Sequence, residues 1–198
     1  MNICTESKIL YIHIPKTAGM SIARTLGLEN PEHLTQNEIV KQNASIIDLR
    51  NYYKFAFCRN PWDRMVSLYS YCISGSEMYG KFNSPKIEKI KELFTFKLFC
   101  QMLGSGFFIG NNFIWKAHYR QQLDFINVTN IDFIGRFENL QEDFYTVCDN
   151  AGIPRQELQH INKSNRKHYT EYYDDETKQI VAEKYAKDIE YFGYKFGD

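Results

Sequence analysis

An α/β fold is predicted by three segments of this 198-residue chain, each a short apolar strand that turns into a helix. The first is residues 8–28, KILYIHIPKTAGMSIARTLGL. Its apolar run at 9–14 fits a buried strand, Pro15 stops it, and Gly19 is read as the point where the backbone turns tightly into a helix. Ile22, Ala23 and Leu26 then point toward the core. The second is residues 52–73, YYKFAFCRNPWDRMVSLYSYCI, where Tyr53, Phe55 and Phe57 alternate with Lys54 and Ala56. Asn60 is a good N-cap and Pro61 is preset for the first helical position. Trp62, Val66, Tyr69 and Ile73 then mark one buried helical stripe, away from which Ser67 points. The third is a strand at 131–137, followed by the helical pattern Leu140, Phe144, Val147 and Ala151, which stops at Gly152.

The remaining elements are weaker. Residues 36–49 read as a helix and a connection, and 75–85 as a loop. Residues 85–102 carry a helical pattern in Ile87, Ile90, Phe94 and Leu98, and 104–112 form an aromatic, glycine-rich loop placed near an acceptor pocket. Val181, Tyr185, Ile189 and Phe192 predict one last amphipathic helix from near Asp174. The acids Asp174, Asp175 and Glu176 in its first turn complement the helix dipole.

The first loop has the composition of an anion cradle. Residues 7–28 contain Lys8, Lys16 and Arg24 and no acid. A helix N-terminus favours phosphate or sulfate, Lys16 adds a full charge, and Thr17 and Ser21 add hydroxyl donors. A Walker-type loop would end in Gly-Lys-Ser/Thr. Here Pro15, which has no N–H, stands where that glycine would be, and Gly19 follows Lys16 by three residues. In the second segment, Arg59 sits at the strand's C-terminal end, where open parallel sheets place ligands, and Ser67 follows it by eight residues.

Both elements in this order resemble the sulfotransferases that use 3′-phosphoadenosine 5′-phosphosulfate (PAPS), nearest to the branch with the carbohydrate sulfotransferases. The likeness extends through 131–144 and 162–196, with RNPWDRMVSLY its most specific piece. It implies a three-layer, P-loop-NTPase-like sulfotransferase fold, with a central parallel sheet flanked by helices. It also implies a 5′-phosphosulfate loop made of Pro15, Lys16, Thr17, Ala18, Gly19, Met20 and Ser21, and a 3′-phosphate site made of Arg59 and Ser67. Ser164 and Arg166 are carried over from a late basic loop, NKSNRKHY, that closes over the nucleotide. Met20 departs from the pattern, since relatives often carry a small polar residue there.

The implied activity is sulfuryl transfer from PAPS to an acceptor hydroxyl. The acceptor is expected to be a saccharide, with a phenol, lipid alcohol or tyrosine left open. Lys16 would stabilise the charge developing on the bridging oxygen. A histidine suits the base, and His33 in NPEHLTQNE, 26 residues before Arg59, matches the placement found in some carbohydrate sulfotransferases. His118 in WKAHYRQQ is the second candidate, while His13, within the first strand, is read as structural. No H-E-x-x-H, cysteine–histidine cluster or Walker B aspartate is present, so no metal is expected in the chemistry. A P-loop-like nucleotide kinase and a non-catalytic nucleotide-binding module are the alternatives.

Composition is compatible with this. With 43% hydrophobic residues the chain reads as a single domain over 1–198. Its 24 basic and 24 acidic side chains balance, which argues against recruitment by nucleic acid. No apolar run reaches a membrane span, and five cysteines without C-x-x-C spacing read as the reduced thiols of a cytoplasmic protein. The oligomeric state is left open.

Overall fold

Strand β2, Ile9–Ile12, is wholly buried, as its unbroken apolar sequence requires. It pairs in parallel with β3, Tyr53–Cys58, with Ile12 opposite Ala56. That strand pairs in parallel with β4, Phe133–Arg136, with Cys58 opposite Arg136. The two-residue β1, Ile3–Cys4, runs antiparallel along the outer edge of β2. Among the described residues the sheet order is β1-β2-β3-β4, so the expected parallel sheet is in fact a mixed one of four strands. The computed structural model describes residues 2–73, 93–105, 113–159 and 166–198. The expected loop at 75–85, most of the loop at 104–112, Ile87, Ile90 and Ser164 lie outside them.

The chain divides into two compact units. The first, residues 1–59 with 120–163, holds the sheet. Helices α1 (Gly19–Thr25) and α2 (Gln36–Asn43) follow β2, and α6 (Leu140–Ala151) follows β4. On one face, Ile9, Tyr11, Phe55 and Phe57 pack with Ile22 and Ala23 of α1 and with Phe144, Val147 and Cys148 of α6. The start of α2 is fixed by a capping box between Thr35 and Glu38. The α6 helix ends at Gly152, whose φ of 67° is the left-handed stop the sequence predicted.

The second unit, residues 60–119 with 164–198, is helical in its described part. It contains α3 (Pro61–Ile73), α4 (Phe96–Gly104), α5 (Phe113–Tyr119), a single turn at Tyr169–Tyr172, α7 (Asp175–Lys184) and α8 (Ala186–Phe192). Asn60 caps α3 as expected, its Oδ1 accepting from the Trp62 amide at 3.1 Å. The buried face of α3 is wider than the predicted stripe, because Arg64, Met65, Leu68 and Cys72 are buried with Trp62 and Val66, whereas Tyr69 is only partly so. On α4 the predicted Leu98 is 39% exposed, and Phe96, Phe99, Cys100 and Leu103 form the buried face instead. Thr95 caps this helix through the Leu98 amide, which sets its phase.

The single C-terminal helix expected from Asp174 is two helices, broken at Tyr185 with φ −113° and ψ 27°. The Tyr185 hydroxyl is buried and donates toward Met65 Sδ at 3.2 Å and the Tyr119 carbonyl at 3.3 Å. Asp174 caps α7 through the Thr177 amide at 2.8 Å, and with Glu176 it pairs with Lys97. Phe196, from the C-terminal end, packs edge-on against Trp62, Tyr169 and Tyr173. Asn60 and Trp62, from the most specific sequence piece, therefore hold the tail, Asn60 Nδ2 donating to the Lys195 carbonyl at 2.9 Å.

Candidate active site

In the first unit the parallel strands bring three segments to one edge of the sheet: the 13–19 loop after β2, Arg59 after β3 and Phe137 after β4. The loop has an unusual backbone. Lys16 (φ 71°) and Ala18 (φ 65°) are left-handed, and Thr17 between them is not. Such alternation curls successive amides around a concavity suited to an anion. For residues other than glycine it costs about 1 kcal/mol or more each, a strain met mostly at functional sites. The Thr17 hydroxyl is buried and donates to the Ile14 carbonyl at 2.8 Å, bracing the loop from inside.

Gly19 does not supply the turn; its φ is not positive. It supplies room. A Cβ at Gly19 would stand 1.9 Å from Nε2 of the buried His13, so the start of α1 lies directly on that imidazole. We expect Gly19→Ala to destabilise the protein by at least about 1–3 kcal/mol through overpacking, read as a lowered thermal midpoint. An unchanged midpoint would mean that the contact yields without cost.

Arg59 is 5% exposed although charged. Its backbone N–H and carbonyl are both paired with the Gln122 side-chain amide, each at 2.9 Å. Its guanidinium lies 3.7 Å from the Phe137 ring centroid, and Nη1 donates to the Lys16 carbonyl at 3.0 Å. The two cationic motifs of the sequence thus meet.

His33 belongs to the same place. Its ring is 4.3 Å from the His13 ring, and its Nδ1 is 3.3 Å from the His13 carbonyl. A carbonyl only accepts, so Nδ1 carries the hydrogen and Nε2 the lone pair. Burial lowers the His33 pKa, the His13 carbonyl opposes that, and the nearby charge of Lys16 adds to the lowering.

Of the other residues singled out, Pro15 is buried, Ser21 is buried in the first turn of α1, and Met20 is 47% exposed. The rest belong to the second unit. Ser67 is half-buried on α3, and Arg166 pairs with Asp63 Oδ1 at 2.5 Å. His118, expected in a connecting segment, is a buried residue of α5 whose carbonyl accepts from Arg64 Nη2 at 3.0 Å. Sequence reading missed Arg64 and Gln122: the first looks like a surface charge, and the second has no motif around it.

A sequence profile of the sulfotransferase family matches residues 1–195, and the chain belongs to that family. Human carbohydrate sulfotransferase 9 (Homo sapiens) is 25% identical over 219 residues, covering 93% of this chain and 47% of the relative. The chain therefore spans about half the length of that relative. An uncharacterized protein of Archaeoglobus fulgidus is 29% identical over 121 residues, 60% of this chain and 82% of the relative. No solved structure matches. Among the described residues, no helix is long and apolar enough to cross a membrane.

Proposed function

We propose that this sulfotransferase moves a sulfuryl group from PAPS to a hydroxyl of a saccharide, with His33 as the base. The carrying observation is the buried Arg59 guanidinium, which donates to the carbonyl of Lys16 and so joins both anion-binding motifs. The residues fit such a donor. The alternating backbone at 16–18 offers amides, Lys16 a charge, and Arg59 a planar fork suited to phosphate. Ser67 and Arg166 join this reading from the family resemblance alone. When bound, PAPS supplies an activated sulfuryl group on a phosphate leaving group.

The chain's own residues do the rest. His33 Nε2 takes the proton of the acceptor hydroxyl as its oxygen bonds to sulfur. Lys16 would stabilise the electron pair left on the 5′-phosphate oxygen when its bond to sulfur is broken. The products are the sulfate ester, adenosine 3′,5′-bisphosphate and a protonated His33. The saccharide follows the name of the human relative. A cytoplasmic location is supported by five cysteines that form no disulfide.

The test is thermal stabilisation by adenosine 3′,5′-bisphosphate, followed by acceptor-dependent release of that product from PAPS. Stabilisation by ATP with magnesium instead would support a nucleotide kinase, and binding without turnover over a broad acceptor panel would support a non-catalytic module. We expect Arg59→Ala to weaken adenosine 3′,5′-bisphosphate by roughly tenfold or more, and adenosine 5′-phosphosulfate, which lacks the 3′-phosphate, far less. Calorimetry on both ligands decides, and equal losses would remove Arg59 from 3′-phosphate recognition.

A further inference from the structure

The segment carrying His33 has no regular structure of its own: the chain from 28 to 35 lies between α1 and α2. A histidine in such a segment would normally sample several rotamers and both tautomers. Here Pro31 and Glu32 are tied down by two buried side chains from the sheet side, and His33 itself by a backbone carbonyl of the same strand end. Asn2 gives both halves of its amide to Glu32: Nδ2 donates to the Glu32 carbonyl at 2.9 Å, and Oδ1 accepts from the Glu32 N–H at 2.9 Å. The same Nδ2 also donates to the Tyr11 carbonyl of β2 at 3.1 Å, which anchors the clamp to the sheet.

His13 acts on either side of that residue. Its Nδ1 is 3.1 Å from the Pro31 carbonyl, so Nδ1 is the protonated nitrogen, and its own carbonyl receives His33 Nδ1–H at 3.3 Å. The His13 ring is itself fixed, stacked against Tyr11 at 5.7 Å and covered by Gly19.

We propose that Asn2 and His13 are positioning residues that hold His33 in one place and in the tautomer with the lone pair on Nε2. The inference rests on the reading of His33 as the base. Because Gly19 opens α1, the same imidazole also ties that base to the anion loop. Preorganisation of this kind raises the rate without adding affinity for the nucleotide.

The test separates this role from packing. His13→Asn puts an amide N–H near the former Nδ1, whereas His13→Leu fills the space without a donor. We expect His13→Leu to lower kcat roughly 100-fold while the KM for PAPS changes less than about twofold, and His13→Asn to restore most of the loss. A packing role predicts the reverse order. In parallel, the imidazole ¹⁵N spectrum of His33 should show Nδ1–H in the wild type and in His13→Asn; the residue-13 carbonyl remains in every variant, so in His13→Leu it is the lost Pro31 anchor that lets the ring leave that carbonyl and gives a tautomer mixture. A pure Nδ1–H signal in His13→Leu, or a leucine variant faster than the asparagine one, overturns the proposal. Where His13→Leu does not fold, Asn2→Asp is read in the same two ways, because it keeps the acceptor for Glu32 and removes the donors. Wild-type turnover in His33→Ala would overturn the base assignment alone, and the ¹⁵N spectra would still decide the clamp.

Discussion

Replacing Lys16 with alanine is expected to reduce turnover by roughly 100- to 1,000-fold, the scale seen when one preorganised stabiliser of transition-state charge is removed. The effect should fall on kcat, because the charge on the bridging oxygen grows only as the sulfur–oxygen bond breaks. The substitution isolates the ammonium group. The Lys16 carbonyl that accepts from Arg59 belongs to the backbone and remains, and alanine is no more at ease than lysine at a φ of 71°. Fold and nucleotide binding should therefore survive, which a thermal midpoint and a bisphosphate titration establish. Glycine is the informative companion: Lys16→Gly removes the same charge but relaxes the left-handed strain of about 1 kcal/mol. It should be equally slow. Full turnover in either variant would remove Lys16 from the chemistry.

The same loop shows what a sequence does and does not reveal. The strands at 9–12, 53–58 and 133–136 were legible because apolar runs and alternation reflect burial directly. The α3 start was legible because Asn-Pro has a local mechanism, an N-cap followed by a preset φ. Gly19 misled because a glycine signals a missing Cβ, and whether that serves a turn or a close approach depends on His13 lying against it. Strand β1 was missed because two residues carry no period. The break at Tyr185 was invisible because Val181, Tyr185, Ile189 and Phe192 keep helical spacing across it. Lys16 and Arg59, 43 residues apart, were joined through resemblance rather than spacing, and their meeting at 3.0 Å is a property of parallel pairing between β2 and β3. The Asn2–Glu32 and His13–Pro31 bonds had no sequence signal, because they run from side chains to backbone groups that any residue could provide.

His33→Ala is expected to abolish most transfer, by roughly 100- to 10,000-fold, the range that general bases contribute. Affinity for adenosine 3′,5′-bisphosphate should stay near wild type. The pH dependence follows from the direction of the His33 shift. Burial and the Lys16 charge disfavour the imidazolium, so the neutral, proton-accepting form persists below the usual histidine value of about 6.5. The wild-type rate should thus be flat around neutrality and fall only at pH below that value, instead of rising through it. Lys16→Ala removes one of the causes of lowering, so its residual rate should fall at a higher pH than the wild type's. The folded protein also resists protonation more than the unfolded chain, so His33 contributes stability that is complete above about 6.5 and is lost as pH falls through its lowered value. Rates must therefore be measured where circular dichroism shows the protein folded. A pH profile still rising above 7, or a fast His33→Ala beside an inactive His118→Ala, would transfer the base assignment away from His33.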